Sequence, residues 1–364
     1  MNATIKHQIK NILRCGLNTA SPLFSRVSRL DPETARANLQ AVSPLPQVTL
    51  YTDERVFAPA VDLQIVIPAY NAEQYLDGCM ASVLNQKTRY SFHVTLVDDG
   101  AKDATPALCD KYADHPNVTV IHQENAGPAA ARNRALERLV GRYVMFVDSD
   151  DLLRPGAIEA LVGAAETYGC DIVEGGMDYL SGEDRSPAYS HEKAMEVSDP
   201  YLLQGYPCGK VFRTELFRKL CFPAGLWYED SIVYFLLLPS AQKIRVVPEI
   251  VYDYRVNQSG MTKTTHGRPK SVDTYWITEL LAEAHRDAGL PDSPSYFRSL
   301  LEQFRLNQHR VSDLSDEVQE WVFLLGCDLL DRYYPTETDP KYRMLLRALR
   351  KKDFGAFRMC CKLL

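Results

Sequence analysis

The chain has 364 residues, 46% apolar and 24% charged, enough for one large domain with an appendage or for two domains with a sizeable core. Its formal net charge of −6 leaves no basic excess to meet phosphate and argues against a general nucleic-acid binder. Nine cysteines without a CxxC pair point to a reducing compartment with neither a zinc site nor a disulfide framework.

Residues 1–30 contain Lys6, Lys10, Arg14, Arg26 and Arg29 and no acidic residue. Ile5, Ile9, Ile12, Leu13 and Leu17 recur there at helical spacing, with the cations on another face. That pattern suits an interfacial helix on anionic lipid or a helix docked on the protein's own surface. The stretch lacks the apolar core of a signal peptide. No run in the chain reaches the roughly 18 apolar residues of a membrane span. The expected location is therefore the cytoplasm, with peripheral contact at the cytoplasmic face of a membrane left open. Residues 31–60 read as a linker with one helical piece around 32–41, punctuated by Pro44, Pro46 and Pro59.

From residue 61 strands and helices alternate. Residues 63–67 predict a strand stopped by Pro68, and 73–86 a helix. Strands at 92–97 and 118–121 flank a helix at 103–113. A helix at 127–140, with Pro128 in its first turn, leads to a strand at 143–147. A helix at 155–168 and a fifth strand at 171–174 follow. Such alternation implies βαβ units and a mostly parallel sheet. Between 176 and 206 the pattern loosens and reads as an excursion over the active face. Residues 210–212 predict a short strand, 214–220 a helix and 230–238 a strongly apolar helix. Residues 243–255 read as one or two extended segments. Helices are expected at 275–288, 296–310 and 317–333, and the last two segments, 341–352 and 353–364, are basic and amphipathic.

Several clusters carry chemistry. The central one is Phe146-Val147-Asp148-Ser149-Asp150-Asp151, three carboxylates in four residues at a strand end. A parallel strand delivers its chain to a ligand crevice at that edge. Carboxylates crowded there repel one another unless a cation sits between them, and hard oxygen ligands suit Mg²⁺ or Mn²⁺. The bland alternative is an acidic loop capping the helix that follows. Pro68-Ala69-Tyr70-Asn71 follows the first strand and turns Tyr70 toward the crevice. In Val97-Asp98-Asp99-Gly100-Ala101-Lys102-Asp103, a carboxylate is placed to accept from a uracil imide or a ribose hydroxyl, or else only makes the turn, with Asp103 as helix cap. Arg132 in Asn125-Ala126-Gly127-Pro128-Ala129-Ala130-Ala131-Arg132-Asn133 shares a face with Ala135, Leu136 and Leu139. It needs an anionic partner: Asp98, Asp148 or a nucleotide phosphate. In Trp227-Tyr228-Glu229-Asp230, the acids either start a helix favourably or supply a general base.

PAYN, VDDGAKD, NAGPAAARN and FVDSDD, in that order and spacing, resemble the nucleotide-sugar-binding half of a family 2 glycosyltransferase of GT-A fold. The resemblance is firmest over 62–175 and continues more loosely through CGKVFR, WYEDS and YDYRVNQSGMT to about 265. It implies an α/β fold with a Rossmann-like, mostly parallel sheet flanked by helices, and a C-terminal helical region. The implied organisation is a helical extension and linker at 1–60, a catalytic domain at 61–265 (61–175 for the nucleotide sugar, 176–265 for the acceptor side) and a helical region at 266–364.

The resemblance further implies that Pro68, Tyr70, Asp98 and Asp99 line the uracil and ribose site. Arg132 supports the base and diphosphate, Asp148 and Asp150 form the metal-binding pair with Asp148 also touching ribose, and Asp151 helps on the donor sugar. Asp230 is the implied catalytic base with Glu229 beside it. Arg255 and Ser259 fall in the segment that closes over the diphosphate, and His266 reaches toward the metal. Ala101 departs from the family's usual serine, a mild change in a helix-capping position. The implied activity is inverting transfer from a UDP-sugar, with Mn²⁺ or Mg²⁺, to a polysaccharide, lipid-linked or glycoconjugate hydroxyl; oligomer formation is left open. The turn PAYNAEQ excludes a G-x-G-x-x-G dinucleotide fingerprint, and no P-loop occurs. A metal-dependent nucleotidyltransferase and a non-catalytic nucleotide- or polysaccharide-binding scaffold are the competing readings.

Overall fold

A computed structural model of the chain describes residues 25–257, 260, 265 and 267–363. The basic stretch at 5–17, Ser259 and His266 lie outside the described residues. The chain divides into two compact units, Pro46–Lys263 with Leu281–Leu290, and Met1–Leu45 with Thr264–Leu280 and Pro291–Leu364.

The first unit is built on a sheet. Its strands are β1 (Val56–Ala69), β2 (Phe92–Asp98), β3 (Val118–His122), β4 (Arg138–Phe146), β5 (Leu152–Leu153), β6 (Ile172–Ser181), β7 (Asp184–Tyr189), β8 (Met195–Val197), β9 (Lys210–Arg213) and β10 (Ile244–Arg255). They run in the order β3-β2-β1-β4-β9-β6-β10-β5, with β7 on β6 and β8 on β10. β1 to β4 pair in parallel, as does β6 with β10, while β9 enters antiparallel between β4 and β6. Leu63 to Ile67 are buried without a break, as expected of a strand covered on both faces. Leu63, Ile65 and Ile67 face a core shared with Leu76, Met80, Val94, Leu96, Met145, Ile158 and Leu161. On the opposite face Phe146 packs edge-on against Phe212, Phe217 and Phe222, with ring centroids 5.2–6.1 Å apart, in the favourable T-shaped arrangement. That cluster fixes the end of β4, two residues before Asp148.

Three local expectations give way to tertiary contacts. Pro68 does not stop β1, which continues to Ala69 opposite Asp98. The Val66 carbonyl accepts from Val147 N on the β4 side, so alternation turns Pro68 to that side, and only the β4 ladder ends there. The helix expected over 127–140 is Pro128–Leu136, and β4 begins at Arg138. Buried Gln64 intervenes: its amide donates to the Ala135 and Arg138 carbonyls and accepts from Val140 N. The apolar helix expected over 230–238 is a 3₁₀ turn Glu229–Ser231, a π-helical turn Val233–Leu237 and a short piece Leu238–Ser240. Pro239 has no N–H for the Phe235 carbonyl, which accepts instead from His285 Nδ1 at 2.8 Å; a π-turn is a common accommodation of such a break.

The excursion over 176–206 is more regular than expected, because β6 continues into a hairpin with β7. Its return is pinned by a fully buried ion pair, Lys210 Nζ 2.7 Å from Glu174 Oε2. His191 and Gln204 N complete the carboxylate's partners. Burial alone would raise the Glu174 pKa, but Lys210 and the hydrogen bonds hold it below the ordinary value.

The second unit is helical. Its helices Pro32–Val42, Pro294–Arg310 and Asp316–Tyr333 start at Asp31, Ser293 and Ser315, whose side chains accept from backbone N–H groups of the first turn. Helices Arg343–Arg350 and Phe354–Leu363 close it. Among the described residues no helix is long and apolar enough to cross a membrane.

Lys210→Met alone leaves the buried Glu174 carboxylate without its cation and is expected to cost about 3–5 kcal/mol in urea unfolding. Lys210→Met with Glu174→Gln should recover most of that loss; equal loss in the single and double variants would contradict the pairing.

Candidate active site

Because β1, β2 and β4 are parallel, their C-terminal ends open on the same edge of the sheet. That edge presents the turns after Ala69, Asp98 and Phe146. Gly100 has φ +66°, and a Cβ there would stand 2.6 Å from Asn125 N, so only glycine fits this turn.

Asp98 and Asp99 are both buried. Asp98 accepts from Ala101 N at 3.0 Å and meets His122 Nδ1 at 2.9 Å. That hydrogen bond raises the His122 pKa above its ordinary value. Asp99 accepts from Gln123 Nε2 (2.7 Å), Asn125 Nδ2 (3.1 Å), Ala126 N (2.9 Å) and Gly127 N (2.8 Å), which fills a carboxylate's four acceptor positions. Both side chains thus tie the loops of the edge together, and Asp99 holds the entry to the helix that carries Arg132. Pro68 is half-buried and Tyr70 is 47% exposed.

Arg132 joins the two acidic groups. Its guanidinium is buried, donates through Nη1 to Glu229 Oε1 at 2.7 Å and through Nη2 to Asp148 Oδ1 at 2.9 Å, and lies over the Phe222 ring. Burial alone would lower its pKa, but Asp148 and Glu229 outweigh burial and raise it well above the ordinary value. Tyr228, just before Glu229, has φ +67°, a strained conformation for a non-glycine residue that sets the direction of Glu229 and Asp230. Glu229 is buried and Asp230 is half-buried.

The triple-carboxylate turn is held from several sides. Tyr252 is fully buried; its hydroxyl donates to Asp151 Oδ2 at 2.8 Å and accepts from Asp148 N at 3.0 Å. Arg255 N donates to Asp151 Oδ1 at 2.7 Å, and its Nε to the Asp150 carbonyl at 2.7 Å. The Arg255 guanidinium rests over the Tyr75 ring. Asn257 Nδ2 reaches Asp150 Oδ2 at 3.1 Å. Cys208, brought beside β4 by a bridge to Phe146, points its thiol at Asp148 Oδ2 at 3.4 Å; burial pushes that thiol's pKa far up, so it stays protonated. The Asp150 pKa is raised by burial and then by Asp148. Asp151 is raised further, by burial and then by both neighbours.

The geometry therefore brings Arg132, Asp148, Asp150, Asp151, Glu229, Asp230 and Arg255 to one place. Sequence reasoning missed Tyr252, Cys208, Tyr75 and Asn257. The YDYR and CGK segments were visible as motifs, but nothing local tied Tyr252 or Cys208 to a turn so far away in the chain. Among the described residues no group of three or more His, Cys, Asp or Glu is arranged to hold a metal by itself. Asp148 and Asp150 still suit a hard cation that draws its other ligands from a substrate phosphate, since their mutual repulsion is what such an ion relieves.

Residues 64–220 match the family model Glycosyl transferase family 2. The chain is 27% identical over 309 residues to glycosyltransferase GlyA of Streptococcus pneumoniae, covering 79% of this chain and 44% of that protein. It is 28% identical over 295 residues to glycosyltransferase GlyG of the same organism, covering 72% and 94%. A third relative is the poly(ribitol-phosphate) beta-N-acetylglucosaminyltransferase TarS of Staphylococcus aureus, 26% identical over 316 residues and covering 81% and 54%. The crystal structure of TarS residues 1–349 with UDP-GlcNAc superposes with a TM-score of 0.69 at 22% identity, covering 83% of this chain and 90% of that one. The chain thus spans about half the length of GlyA and TarS and nearly all of GlyG. Residues 64–220 carry the match to the glycosyltransferase family 2 model, and the sheet-based unit has the GT-A fold.

A raised carboxyl pKa means that the folded state holds its proton more tightly than the unfolded state, so stability falls as pH rises through the raised value. Without divalent metal, Asp150→Asn should therefore melt close to the wild type at acidic pH and increasingly above it as pH climbs past the ordinary carboxylate range. A difference in melting temperature that stays flat, or that shrinks with rising pH, would contradict the crowding of Asp148 and Asp150.

Proposed function

We propose that this chain transfers a sugar from a UDP-sugar to a hydroxyl of a cell-surface polysaccharide, lipid-linked or glycoconjugate acceptor, with inversion at the anomeric carbon. The observation that carries this reading is the pair of acidic groups, Asp148-Ser149-Asp150-Asp151 and Glu229-Asp230, linked through the single buried cation of Arg132. One group faces the end expected to hold the nucleotide diphosphate, and the other supplies a base. The likeness to TarS, whose structure holds UDP-GlcNAc, supports UDP-N-acetylglucosamine as the first donor to try.

Pro68, Tyr70, Asp98 and Asp99 are assigned to the nucleoside side, the two aspartates chiefly by shaping the loops that receive it. Asp148 and Asp150 would hold Mn²⁺ or Mg²⁺ together with donor phosphate oxygens. When bound, the ion offsets negative charge on the diphosphate leaving group. Arg132 and Arg255 keep positive charge on the same side, and Ser259 and His266, which follow Arg255 in the chain, are assigned to the diphosphate and the metal. Asp151 is assigned to the donor sugar.

Asp230 accepts the proton of the acceptor hydroxyl. The acceptor oxygen attacks the anomeric carbon opposite the diphosphate, the bond from that carbon to the phosphate oxygen breaks, and UDP departs. Arg132 fixes Glu229, and the 3₁₀ turn Glu229–Ser231 that holds both acids carries this to the direction of Asp230. A single base suffices, unlike the paired carboxylates of glycoside hydrolysis. The reaction is placed in the cytoplasm or at the cytoplasmic face of the membrane.

Asp230→Asn should lower UDP release from UDP-N-acetylglucosamine with an acceptor glycan by about 10²–10⁴-fold, while UDP affinity is retained. Full turnover in that variant would move the base elsewhere. Retained UDP binding by the wild type without turnover of any donor would favour the scaffold reading.

A further inference from the structure

A row of tyrosines leads away from the acidic turn. On β10, Tyr252 and Tyr254 alternate with Asp253 and so share a face of the sheet. Their partners on β6 are Met177 and Tyr179, and Met177 pairs in turn with Tyr189 on β7. Tyr206 joins them from the loop before β9, its ring centroid 6.2 Å from that of Tyr189 and its hydroxyl 3.8 Å from Met177 Sδ. The Tyr179 and Tyr254 rings meet edge-on with centroids 6.2 Å apart. The row begins in the site, because the Tyr252 hydroxyl donates to Asp151. It then opens outward: Tyr252 is fully buried, Tyr206 and Tyr254 are half-buried and Tyr179 is 45% exposed. Burial pushes the Tyr189 and Tyr206 hydroxyl pKa values up, so both stay neutral.

The loop that carries Tyr206 runs between the two acidic groups. At its start the Leu203 carbonyl accepts from the Tyr234 hydroxyl at 2.8 Å, and Tyr234 lies in the π-helical turn that follows Asp230. A Cβ on Gly205 would collide with the Tyr234 ring, so glycine alone lets the loop lie so close. At its end Cys208 points its thiol at Asp148. The buried Glu174–Lys210 pair grips the middle: Gln204 N donates to Glu174 Oε2 at 2.9 Å, and Lys210 Nζ donates to the Tyr206 carbonyl at 2.8 Å. Tyr206 is thus held on a fixed backbone between the base and the acidic turn.

We propose that Tyr179, Tyr206 and Tyr254 form the acceptor subsite and bind a neutral pyranose ring by its apolar face. The inference rests on the transfer reading given above. An acceptor hydroxyl has to reach both Asp230 and the donor at the acidic turn, and the tyrosine row is continuous with that place. A pyranose presents C–H groups on a face and hydroxyls around its rim, which suits aromatic rings with polar tips. A phosphate-bearing backbone would need cations at its surface, and these side chains supply none.

The test is saturation-transfer NMR of methyl β-D-glucopyranoside and methyl N-acetyl-β-D-glucosaminide with the full chain, UDP and Mn²⁺. In the wild type the strongest transfer should reach the axial hydrogens of one ring face. Tyr179→Leu with Tyr206→Leu should weaken glycoside binding by about tenfold, the size of one or two aromatic contacts. Tyr179→Phe with Tyr206→Phe, which keeps the rings, should restore most of it. UDP affinity, measured by calorimetry on the same proteins, and the melting temperature should hold in both variants. UDP binding by the wild type with no signal from either glycoside would overturn this inference and leave the transfer reading standing. Unaltered glycoside binding by the leucine variant, or glycerol phosphate bound more tightly than either glycoside, would overturn it too. Loss of UDP binding in the wild type as well would sink the transfer reading and this inference with it.

Discussion

The buried guanidinium of Arg132 is the interaction on which the site depends. An isolated buried charge costs several kcal/mol in desolvation, and removing one partner of a buried pair typically costs about 3–5 kcal/mol because the other is stranded. Arg132 meets that cost with two carboxylates at hydrogen-bond distance, Asp148 from the end of β4 and Glu229 from a strained turn 97 positions along the chain from Arg132. Each carboxylate needs the cation as much as the cation needs them. The arrangement therefore sets the distance between the acidic turn at 148–151 and the Glu229-Asp230 pair.

The elements that carry these residues are fixed before any ligand arrives. Phe146 locks the end of β4 in an aromatic cluster, Gln64 ends the Arg132 helix by capturing its carbonyls, and Asp99 gathers four donors at that helix's entry. Tyr252 then clamps Asp151 and the Asp148 backbone. What stays under tension is the charge itself. Asp148, Asp150 and Asp151 share a small, partly buried space, and burial first, then their like charges, push the Asp150 and Asp151 pKa values up.

Much of this was legible in the sequence, and for identifiable reasons. Alternating strands and helices read directly as a parallel sheet, since hydrophobic period and turn residues are local signals. The acidic turn at 148–151 and the Glu229-Asp230 pair were legible because their chemistry is contiguous. The need of Arg132 for an anionic partner was legible from its apolar neighbours, though not that it takes two partners at once. The illegible parts come from contacts between distant segments. Gln64 shortens a helix that propensity would extend, and His285 reaches the Phe235 carbonyl, for which Pro239 has no N–H. Tyr252, Cys208 and the Glu174–Lys210 pair each look unremarkable in their own neighbourhoods. Asp98 and Asp99 show the opposite lesson: the motif singled them out for a nucleoside, and the folded chain uses both carboxylates to hold loops.

The most direct measurement is calorimetric titration of UDP, with and without Mn²⁺, into the wild type and into a protein carrying Asp148→Ala and Asp150→Ala. The account predicts metal-dependent UDP binding in the wild type and its loss in the variant. Equal binding by both proteins, or no binding of UDP to the wild type in either condition, would contradict the assignment of the acidic turn to the donor diphosphate.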